Sequence, residues 1–338
     1  MARKSARIVL AITACATLAA VVGAGSEAML RARVAQEFPA PGQLVDIGGR
    51  RIQLDCRGTG TPTVVLESGL DALGSLSWSA VQDAIATTTR VCAYTRAGIL
   101  WSDAAGAPFS IVGATSDLHA ALQSGGEEAP FVLVGHSIGG LYSVKYTELY
   151  GADIAGLVLV DSSHPDQVER LERATGAPMT LATGVMSLGA RIAWTGILRF
   201  ADLDGAPPSA PPAVHKAVAA YMPIALPALV SEAKALPATF ASTRASQRFG
   251  SRPLVVLTAM AEMSAEELQA MSMTPEQGRE KLAAWLALQN EIAGWSTDTR
   301  HELVRDSSHY IQFDRPDVVV RAVREIVDSI RSSAPLAH

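Results

Sequence analysis

The chain has little charge: Asp, Glu, Lys and Arg make up 18% of its 338 residues, whereas 49% are hydrophobic. Its formal net charge is −5, and no run of Lys and Arg occurs beyond the N-terminus. Proteins that bind nucleic acid need a basic surface, so the composition argues against that class. The apolar content suits one full-sized core with an insertion rather than a string of small modules.

Cysteine is scarce as well, with Cys15, Cys56 and Cys92 as the complete set. No spacing of Cys and His resembles a zinc site, and we expect neither a metal nor an organic cofactor. Cys56 and Cys92 both fall in predicted strands. Two interpretations stay open for this pair: a disulfide, which export would permit, or two small buried apolar side chains.

The N-terminus differs from the rest of the chain. Three basic residues open it, namely Arg3, Lys4 and Arg7. The uncharged apolar run Ile8–Ala24 follows, so residues 1–25 are predicted to be a secretory signal or a membrane anchor, the two remaining open. Either one implies export, with the catalytic domain outside the cytoplasm and membrane contact through this segment only. Residues 26–41 are expected to form a stalk or linker, and the globular domain begins near Gly42.

The body of the chain has the pattern of an α/β protein. Two alternating segments around Gly48-Gly49 predict a hairpin. Short, continuous apolar runs then alternate with stretches of helical length, which predicts a mostly parallel sheet covered by helices on both faces. The predicted strands are Gln43–Ile47, Arg51–Cys56, Thr63–Leu66, Val91–Tyr94, Phe131–Val134, Leu157–Val160, Leu254–Leu257 and Glu302–Val304.

One connection is too long for this alternation. Roughly 90 residues separate Val160 from Leu254, and they are rich in Ala, Met and Leu. We interpret residues 162–250 as a helical cap inserted between two parts of the core, 42–161 and 251–335. A disordered linker is the alternative, and the apolar content disfavours it.

The strongest local motif is Gly135-His136-Ser137-Ile138-Gly139, a G-x-S-x-G pattern between a buried strand and a helix-compatible segment. Such a turn presents its serine at the carboxyl edge of the sheet and at a helix N-terminus, where the backbone favours developing negative charge. Ser137 is therefore the predicted nucleophile. A serine with a purely structural role in the turn is the alternative.

A serine nucleophile needs a base and an acid. When the serine lies in a strand–turn–helix motif of this kind, the two follow it along the chain in the order acid, then histidine. His309 comes directly after the last predicted strand and is the predicted base. Asp161 ends the strand that follows the nucleophile helix and is the preferred acid, with Glu262 second and Asp166 third. The alternative role for Asp161 is to cap a helix or stabilise a turn.

An oxyanion hole requires two backbone N–H donors. The residue after the nucleophile, Ile138, is predicted to supply one. The loop Ser68–Asp71, which follows an early strand, is predicted to supply the other from Leu70.

Several segments together resemble membrane-anchored or secreted bacterial α/β-hydrolases. The matching segments are Pro41–Val45, Val64–Gly69, Tyr94–Gly98, Gly135–Gly140, Leu159–Pro165 and Ser308–Ile311. The resemblance implies the α/β-hydrolase fold, with an eight-stranded sheet and a cap, and an esterase-like activity. In some relatives, notably haloalkane dehalogenases, the acid stands at the position of Asp161. Two departures concern the turn beside the nucleophile: Thr95 replaces an Asp, and Ile99-Leu100 replaces a Leu-Gly pair.

These features predict a serine hydrolase that cleaves a carboxylic ester of a small, partly hydrophobic substrate through an acyl-enzyme. Ser137 argues against the epoxide hydrolases and haloalkane dehalogenases of this fold, which use an Asp nucleophile. Two alternatives remain: the same triad acting on a thioester, amide or C–C bond, and a non-catalytic protein that binds a small ligand. The sequence makes no prediction of oligomeric state.

Overall fold

A computed structural model describes residues 2–179, 183–201 and 203–333. Within them, eight strands form one sheet in the order β1-β2-β4-β3-β5-β6-β7-β8. The strands are β1 (Gln43–Asp46), β2 (Arg51–Arg57), β3 (Thr63–Glu67), β4 (Val91–Thr95), β5 (Phe131–His136), β6 (Ile154–Val160), β7 (Leu254–Ala259) and β8 (Thr299–Val304). Strand β2 runs antiparallel to both neighbours, and every other adjacent pair is parallel. The predicted mostly parallel, eight-stranded sheet is confirmed.

Helices connect the strands in the order that the sequence pattern predicts. In chain order they are α1 (Ala2–Glu37), α2 (Gln82–Ala86), α3 (Ile111–Ser124), α4 (Ile138–Tyr150), α5 (Gln167–Thr175), α6 (Thr183–Ile192), α7 (Pro212–Thr243), α8 (Ala265–Ala270), α9 (Pro275–Ala293), α10 (Ile311–Asp314) and α11 (Pro316–Ser333). The pair α8 and α9, between β7 and β8, is not among the predicted elements.

The central strands are buried on both faces, which explains their continuous apolar runs. In β5, Val132 and Val134 pack into one hydrophobic cluster with residues of α2 and α11. Phe131 and Leu133 point the other way, into a cluster that includes residues of α3, α4 and α9. Because successive side chains of a strand alternate between faces, one short run serves both layers. These two layers fix the carboxyl edge of the sheet, where β5 and β6 end.

The two body cysteines lie directly opposite each other, Cys56 on β2 and Cys92 on β4. Their sulfurs are joined in a disulfide. Of the two interpretations left open by the sequence, the structure has the bridge. Cys15 is free and exposed on α1.

The N-terminal segment is one continuous helix, α1, so no break separates the apolar run from residues 26–41. The segment expected to be a stalk or linker is thus helical as far as Glu37. Glu27 pairs with Arg31 one turn along the helix and with Arg199 of the cap, and only 2% of the Glu27 side chain is exposed. Phe38, just past the helix, accepts a hydrogen bond from Trp101 through its carbonyl. The segment is therefore docked against the globular domain.

Residues 162–250, the segment interpreted as the cap, contain α5, α6 and α7 together with short 3-10 turns. Two stretches among the described residues are long and apolar enough to cross a membrane, Thr13–Glu37 in α1 and Pro212–Thr243, each with a mean hydropathy of 1.4. The second is the cap helix α7, whose most apolar part is 44% buried, whereas that of the first is 6% buried. Burial identifies α7 as a core helix of the cap.

Candidate active site

Ser137 occupies the sharp turn between β5 and α4, with φ 54° and ψ −128°. Residues with a side chain rarely adopt positive φ, and holding one there costs about 1–3 kcal/mol. Two backbone hydrogen bonds hold the turn: Ser137 N–H donates to the Val160 carbonyl at 3.1 Å, and Ser163 N–H donates to the Ser137 carbonyl at 2.9 Å. The serine is thus fixed against the end of β6.

The glycines of the motif are required by close approach of the backbone. A Cβ on Gly135 would lie 2.6 Å from the Gly139 carbonyl oxygen. A Cβ on Gly139 would overlap the carbonyl oxygen of Ser68, and one on Gly140 would overlap the Ser162 side chain. The G-x-S-x-G spacing therefore allows β5, α4 and the loop after β3 to meet around the serine.

His309 follows β8 in the chain, and the structure brings it to Asp161. Its Nδ1 lies 2.6 Å from Oδ2 of Asp161. The other carboxylate oxygen, Oδ1, accepts hydrogen bonds from Ala259 N–H at 3.0 Å and from Nε1–H of Trp285 at 2.8 Å. With three partners and 3% exposure, the Asp161 carboxylate has a fixed orientation. The His309 side chain is 43% exposed, so its ring reaches solvent.

His136, next to the serine in the chain, links the nucleophile turn to the His309 loop. Its Nε2 lies 2.9 Å from the His309 carbonyl oxygen, and the centroids of the two rings are 4.6 Å apart. Burial, and then the positive charge that His309 can carry, hold the pKa of His136 well below its usual value. His136 is therefore neutral, and its Nε2–H donates to the carbonyl.

The loop Ser68–Asp71 packs directly on the nucleophile. A Cβ on Gly69 would lie 3.2 Å from Ser137 Cβ and 3.1 Å from Nδ1 of His136. Ile138 is the first residue of α4, a position whose N–H has no acceptor within the helix. Leu70 is partly buried in the loop. Ile138 follows Ser137 in the chain, and Leu70 follows Gly69, which packs on Ser137; the donor role of both residues stays a prediction.

A buried arginine holds this loop. Arg96 donates from Nη1 to the Ser68 carbonyl at 2.9 Å and from Nη2 to the Gly69 carbonyl at 2.5 Å. Its guanidinium also pairs with Glu67 of β3 at 2.8 Å and with Glu232 of the cap helix α7 at 2.9 Å. All three charged side chains are at most 4% exposed. Arg96 therefore connects the loop beside the nucleophile to the cap through charge-assisted hydrogen bonds.

Two carboxyl groups near the loop are perturbed by their surroundings. Burial raises the pKa of Glu67 to about 7, although the Arg96 guanidinium acts in the opposite direction. Burial also raises the pKa of Asp71 to about 7. Asp71 Oδ1 accepts from the Leu73 N–H at 3.0 Å, whereas Oδ2 has no hydrogen-bond partner among the described residues.

Neither competing acid forms a hydrogen bond with the histidine among the described residues. Glu262 lies exposed in the loop after β7, and Asp166 pairs with Arg244 at 2.6 Å. The carboxylate on His309 is that of Asp161. The remaining histidines that the structure describes have other neighbours: His119 stacks on Tyr150, His164 lies near Trp295, His215 contacts Asp204 and His301 contacts Thr258. His338 lies outside the described residues.

Sequence reasoning missed three residues of this arrangement. Trp285 lies on α9 and carries no local sign of a role, because its contact with Asp161 spans 124 positions. Arg96 is part of the Tyr94–Gly98 match, but the match assigns it no partner. Glu232 is a single acidic residue in a mostly apolar helix, and this is the signal that could have indicated a buried ion pair.

The described residues bring together one further set of potential metal ligands: Cys56, Cys92 and Glu127. Both sulfurs belong to the disulfide, and Glu127 accepts hydrogen bonds from Arg90. This group therefore offers no free thiolate to a cation.

A cavity of about 500 Å³ lies between α7, the loop after β4 and the start of α3. Arg96 and Glu232 form part of its wall, whereas Ser137, Asp161 and His309 do not line it. The cavity is thus separate from the serine and adjoins the opposite side of the buried ion pair.

A serine in a strand–turn–helix elbow, a late histidine paired with a buried carboxylate, and a sheet of this order together define the α/β-hydrolase class. The chain belongs to the α/β-hydrolase family, whose model matches residues 23–322.

Solved structures share this fold at low sequence identity. An N-acyl homoserine lactone degrading enzyme, Est816, aligns with a TM-score of 0.57 and 20% identity over 84% of this chain and 99% of its own. An esterase from Thermogutta terrifontis aligns with a TM-score of 0.56 and 19% identity over 86% of this chain and 98% of its own. An epoxide hydrolase, CorEH, aligns with a TM-score of 0.58 and 15% identity over 86% of this chain and 98% of its own. At this level of identity the likenesses show the fold alone, and neighbours with such different activities leave the reaction and the substrate open.

Curated sequence relatives match over short stretches. An uncharacterized protein of Schizosaccharomyces pombe is 37% identical over 82 residues, which are 24% of this chain and 15% of that protein. The uncharacterized YbdG of Bacillus subtilis is 24% identical over 127 residues, 37% of this chain and 39% of its own. The chain thus spans well under half the length of these two relatives.

Proposed function

We propose that the chain is a serine hydrolase that cleaves a carboxylic ester through an acyl-enzyme. The observation that carries the proposal is a strained serine elbow at Ser137 whose preceding residue, His136, bonds to the carbonyl of His309, a histidine with its Nδ1 2.6 Å from the buried carboxylate of Asp161. A nucleophile, a base and a group that orients the base are the parts that acyl transfer requires.

In the first half-reaction, Asp161 accepts the Nδ1–H of His309, which leaves Nε2 as the acceptor. Nε2 removes the Ser137 hydroxyl proton while Oγ bonds to the carbonyl carbon of the ester. The N–H groups of Ile138 and Leu70 donate to the oxyanion that forms. The intermediate collapses, the bond to the alcohol oxygen breaks, and the Nε2–H protonates the departing alcohol.

The second half-reaction repeats these steps with water. His309 Nε2 takes a proton from water as its oxygen attacks the acyl carbon of the Ser137 ester. Collapse of the second intermediate releases the carboxylic acid, and the proton on Nε2 returns to Oγ. No step requires a redox change: the serine proton leaves with the alcohol, and the proton taken from water restores the Ser137 hydroxyl.

Several features favour an ester over the other bonds that this fold attacks. A serine rather than an aspartate stands at the nucleophile position, which disfavours epoxide opening through an aspartyl ester. The apolar cap favours a substrate with a hydrophobic portion. Two structural neighbours have names that refer to lactones, which are cyclic esters, so a lactone belongs in the substrate panel.

We further infer that α1 is an uncleaved membrane anchor and that the hydrolase domain lies outside the cytoplasm. The apolar run Ile8–Ala24 follows basic residues, and the disulfide between Cys56 and Cys92 suits an oxidising compartment. Gly23 packs against the backbone of Thr195, a contact that cleavage after the run would remove. Cell fractionation followed by N-terminal sequencing tests this; a soluble cytoplasmic chain would contradict it.

The catalytic proposal is tested with the full-length protein in detergent and p-nitrophenyl esters from acetate to long acyl chains, together with a lactone. Ser137→Ala is compared with Ser242→Ala, which removes an exposed hydroxyl on α7. We expect turnover that disappears in Ser137→Ala and persists in Ser242→Ala. Folded protein without turnover on any ester would favour the non-catalytic alternative.

A further inference from the structure

The cap carries an exposed apolar surface that the hydrolase core does not use. We call it the cap patch. Its members are Val185, Leu188, Ile192, Trp194, Ile197 and Phe200. The exposed fraction is at least 37% for every one of them and reaches 92% at Phe200. Contiguous apolar surface of this kind marks an interaction site in a soluble domain.

The first three of these residues form one stripe. Val185, Leu188 and Ile192 are separated by three and four positions on α6, which places them on one face of the helix. Trp194 lies in the 3-10 turn that follows, and Ile197 and Phe200 are three positions apart in the next turn, beyond the left-handed Gly196. No described residue of α6 has a buried side chain. An amphipathic helix of a soluble domain turns such a stripe to the core, whereas this one faces outward.

The cap patch is continuous with the N-terminal helix. The backbone of Gly23 on α1 contacts the backbone of Thr195, next to Trp194, so closely that a Cβ on Gly23 would overlap the Thr195 carbonyl oxygen. One turn further along, Glu27 pairs with Arg199 at 3.0 Å. Gly196 packs between these points, with its Cβ position 3.5 Å from Cβ of Glu27. The patch therefore lies at the level where the uncharged run of α1 ends.

We propose that the cap patch binds the surface of a lipid bilayer, the same one in which α1 is anchored. The run from Ile8 to Gly23 is about 24 Å long at 1.5 Å per residue, which nearly crosses a hydrocarbon core of about 30 Å. Trp194 then lies at the boundary between headgroups and acyl chains, where tryptophan is enriched in membrane proteins. The apolar stripe enters the interface as an amphipathic helix does.

Charge in the same segment favours this partner over a second protein. Residues 183–201 contain no acidic residue; Arg199 is paired with Glu27, and Arg191 is an exposed basic side chain beside the apolar stripe. A basic side chain at this position suits the anionic headgroups of a membrane surface. Exposed apolar residues of α1 near the contact, such as Val22 and Met29, extend the apolar surface toward the cap.

The proposal rests on the inferred anchoring of α1, so the experiment measures the anchoring of α1 and the membrane contact of the cap patch separately. Full-length protein with Cys15→Ser and Phe200→Cys is labelled at the new thiol with an environment-sensitive fluorophore, the disulfide being left intact. It is reconstituted in vesicles of phosphatidylcholine and phosphatidylglycerol in equal parts. Val112→Cys in the same background is the matched control, since Val112 is an exposed apolar residue of α3 outside the patch. Carbonate extraction reports on α1, and quenching reports on the patch.

We expect the chain to resist carbonate. Lipids with a brominated or nitroxide-bearing acyl chain should quench the probe at position 200 several-fold more strongly than the probe at 112, and aqueous iodide should show the reverse order. Equal iodide quenching at both positions in a carbonate-resistant chain would overturn the cap-patch proposal and leave the anchor intact. Protection from iodide without quenching by lipid would identify a protein partner, such as a second copy, and would also overturn it. Extraction of the chain by carbonate would refute both inferences.

Discussion

Replacing Asp161 by asparagine tests how the structure orients its histidine. Oδ1 of Asp161 receives two donors, Ala259 N–H and Trp285 Nε1–H, while Oδ2 faces His309 Nδ1. In Asp161→Asn, the amide oxygen must stay at the first position, because an NH₂ group there would meet two other N–H donors. The amide NH₂ therefore faces Nδ1 of His309, which becomes the acceptor and leaves the ring proton on Nε2.

A histidine with its proton on Nε2 cannot accept the proton of Ser137. The expected loss in kcat is about ten-thousandfold, or roughly 5.5 kcal/mol of transition-state stabilisation, which is the size that a wrong tautomer causes in serine hydrolases. The effect on KM should be small, since Asp161 is buried behind the histidine and does not face the substrate.

The assay is steady-state hydrolysis of the best p-nitrophenyl ester, with circular dichroism to show that each variant is folded. Glu262→Gln is the matched control, because Glu262 was the second choice for the acid and is exposed. Its kcat should remain within about twofold of wild type, as expected for a surface substitution away from the reacting groups. A loss in Glu262→Gln with activity retained in Asp161→Asn would refute the assignment of the acid.

Three further predictions concern the surroundings of the site. Trp285→Phe removes one of the two donors to Oδ1 of Asp161 and should lower kcat about tenfold with little change in KM, since a hydrogen bond to a charged group is worth about 1.5–3 kcal/mol. An unchanged kcat in the same ester assay would show that Ala259 alone orients the carboxylate. Asp71→Asn should match the wild type in unfolding free energy near pH 4 and exceed it by up to about 4 kcal/mol above pH 7. The reason is that the pKa of Asp71 is raised to about 7 in the folded state, so the wild type loses stability as the pH rises from about 4 to 7. Urea unfolding at pH 4 and above pH 7 measures the difference between the two proteins, and a difference that does not change with pH would contradict the prediction. Reduction of the Cys56–Cys92 disulfide, whose cysteines are 36 residues apart in the chain, should lower the unfolding free energy by about 4 kcal/mol, because the unfolded chain regains the entropy of the open loop. Three free thiols in unreduced, denatured protein would show that the bridge is absent.

The strands were predictable because burial on both faces leaves a direct trace in the sequence. All eight lie where apolar runs or alternating segments predicted them; β1 ends one residue earlier than predicted, and the other seven are extended by one to three residues, as in β6 (Ile154–Val160). The alternation with helices predicts parallel pairing but does not determine the order of the strands. The pair α8 and α9 escaped prediction, although Ser264 and Thr274 each begin a helix with a capping box.

The site was predictable where chemistry imposes a local motif or a chain order. Ser137 comes from such a motif, and His309 and Asp161 come from their positions after strands. Trp285 and Glu232 could not be found in this way, because each contributes through a contact with a residue more than 100 positions away. An acidic residue alone in an apolar helix, as at Glu232, indicates that a buried partner exists, but the sequence does not show which residue it is.

The packing of Leu100 explains how the turn after β4 tolerates a leucine at this position. Leu100 stands where relatives have glycine, yet its φ is 42°, within the left-handed region that favours glycine. A left-handed leucine costs roughly 1–2 kcal/mol. Leu100 is 4% exposed and packs in a cluster with Val214 and Val218 of the cap helix α7, and this burial offsets the strain. The turn keeps its shape and gains a contact with the cap.

The central claim is that Ser137 is a nucleophile activated by His309. The most direct test treats the full-length protein with a fluorophosphonate and locates the adduct by peptide mass spectrometry, with His309→Ala and Ser137→Ala in parallel. The account predicts one adduct, on Ser137, formed rapidly in wild type, slowly in His309→Ala and not at all in Ser137→Ala. Folded wild-type protein that forms no adduct, or forms one on another serine, would contradict it.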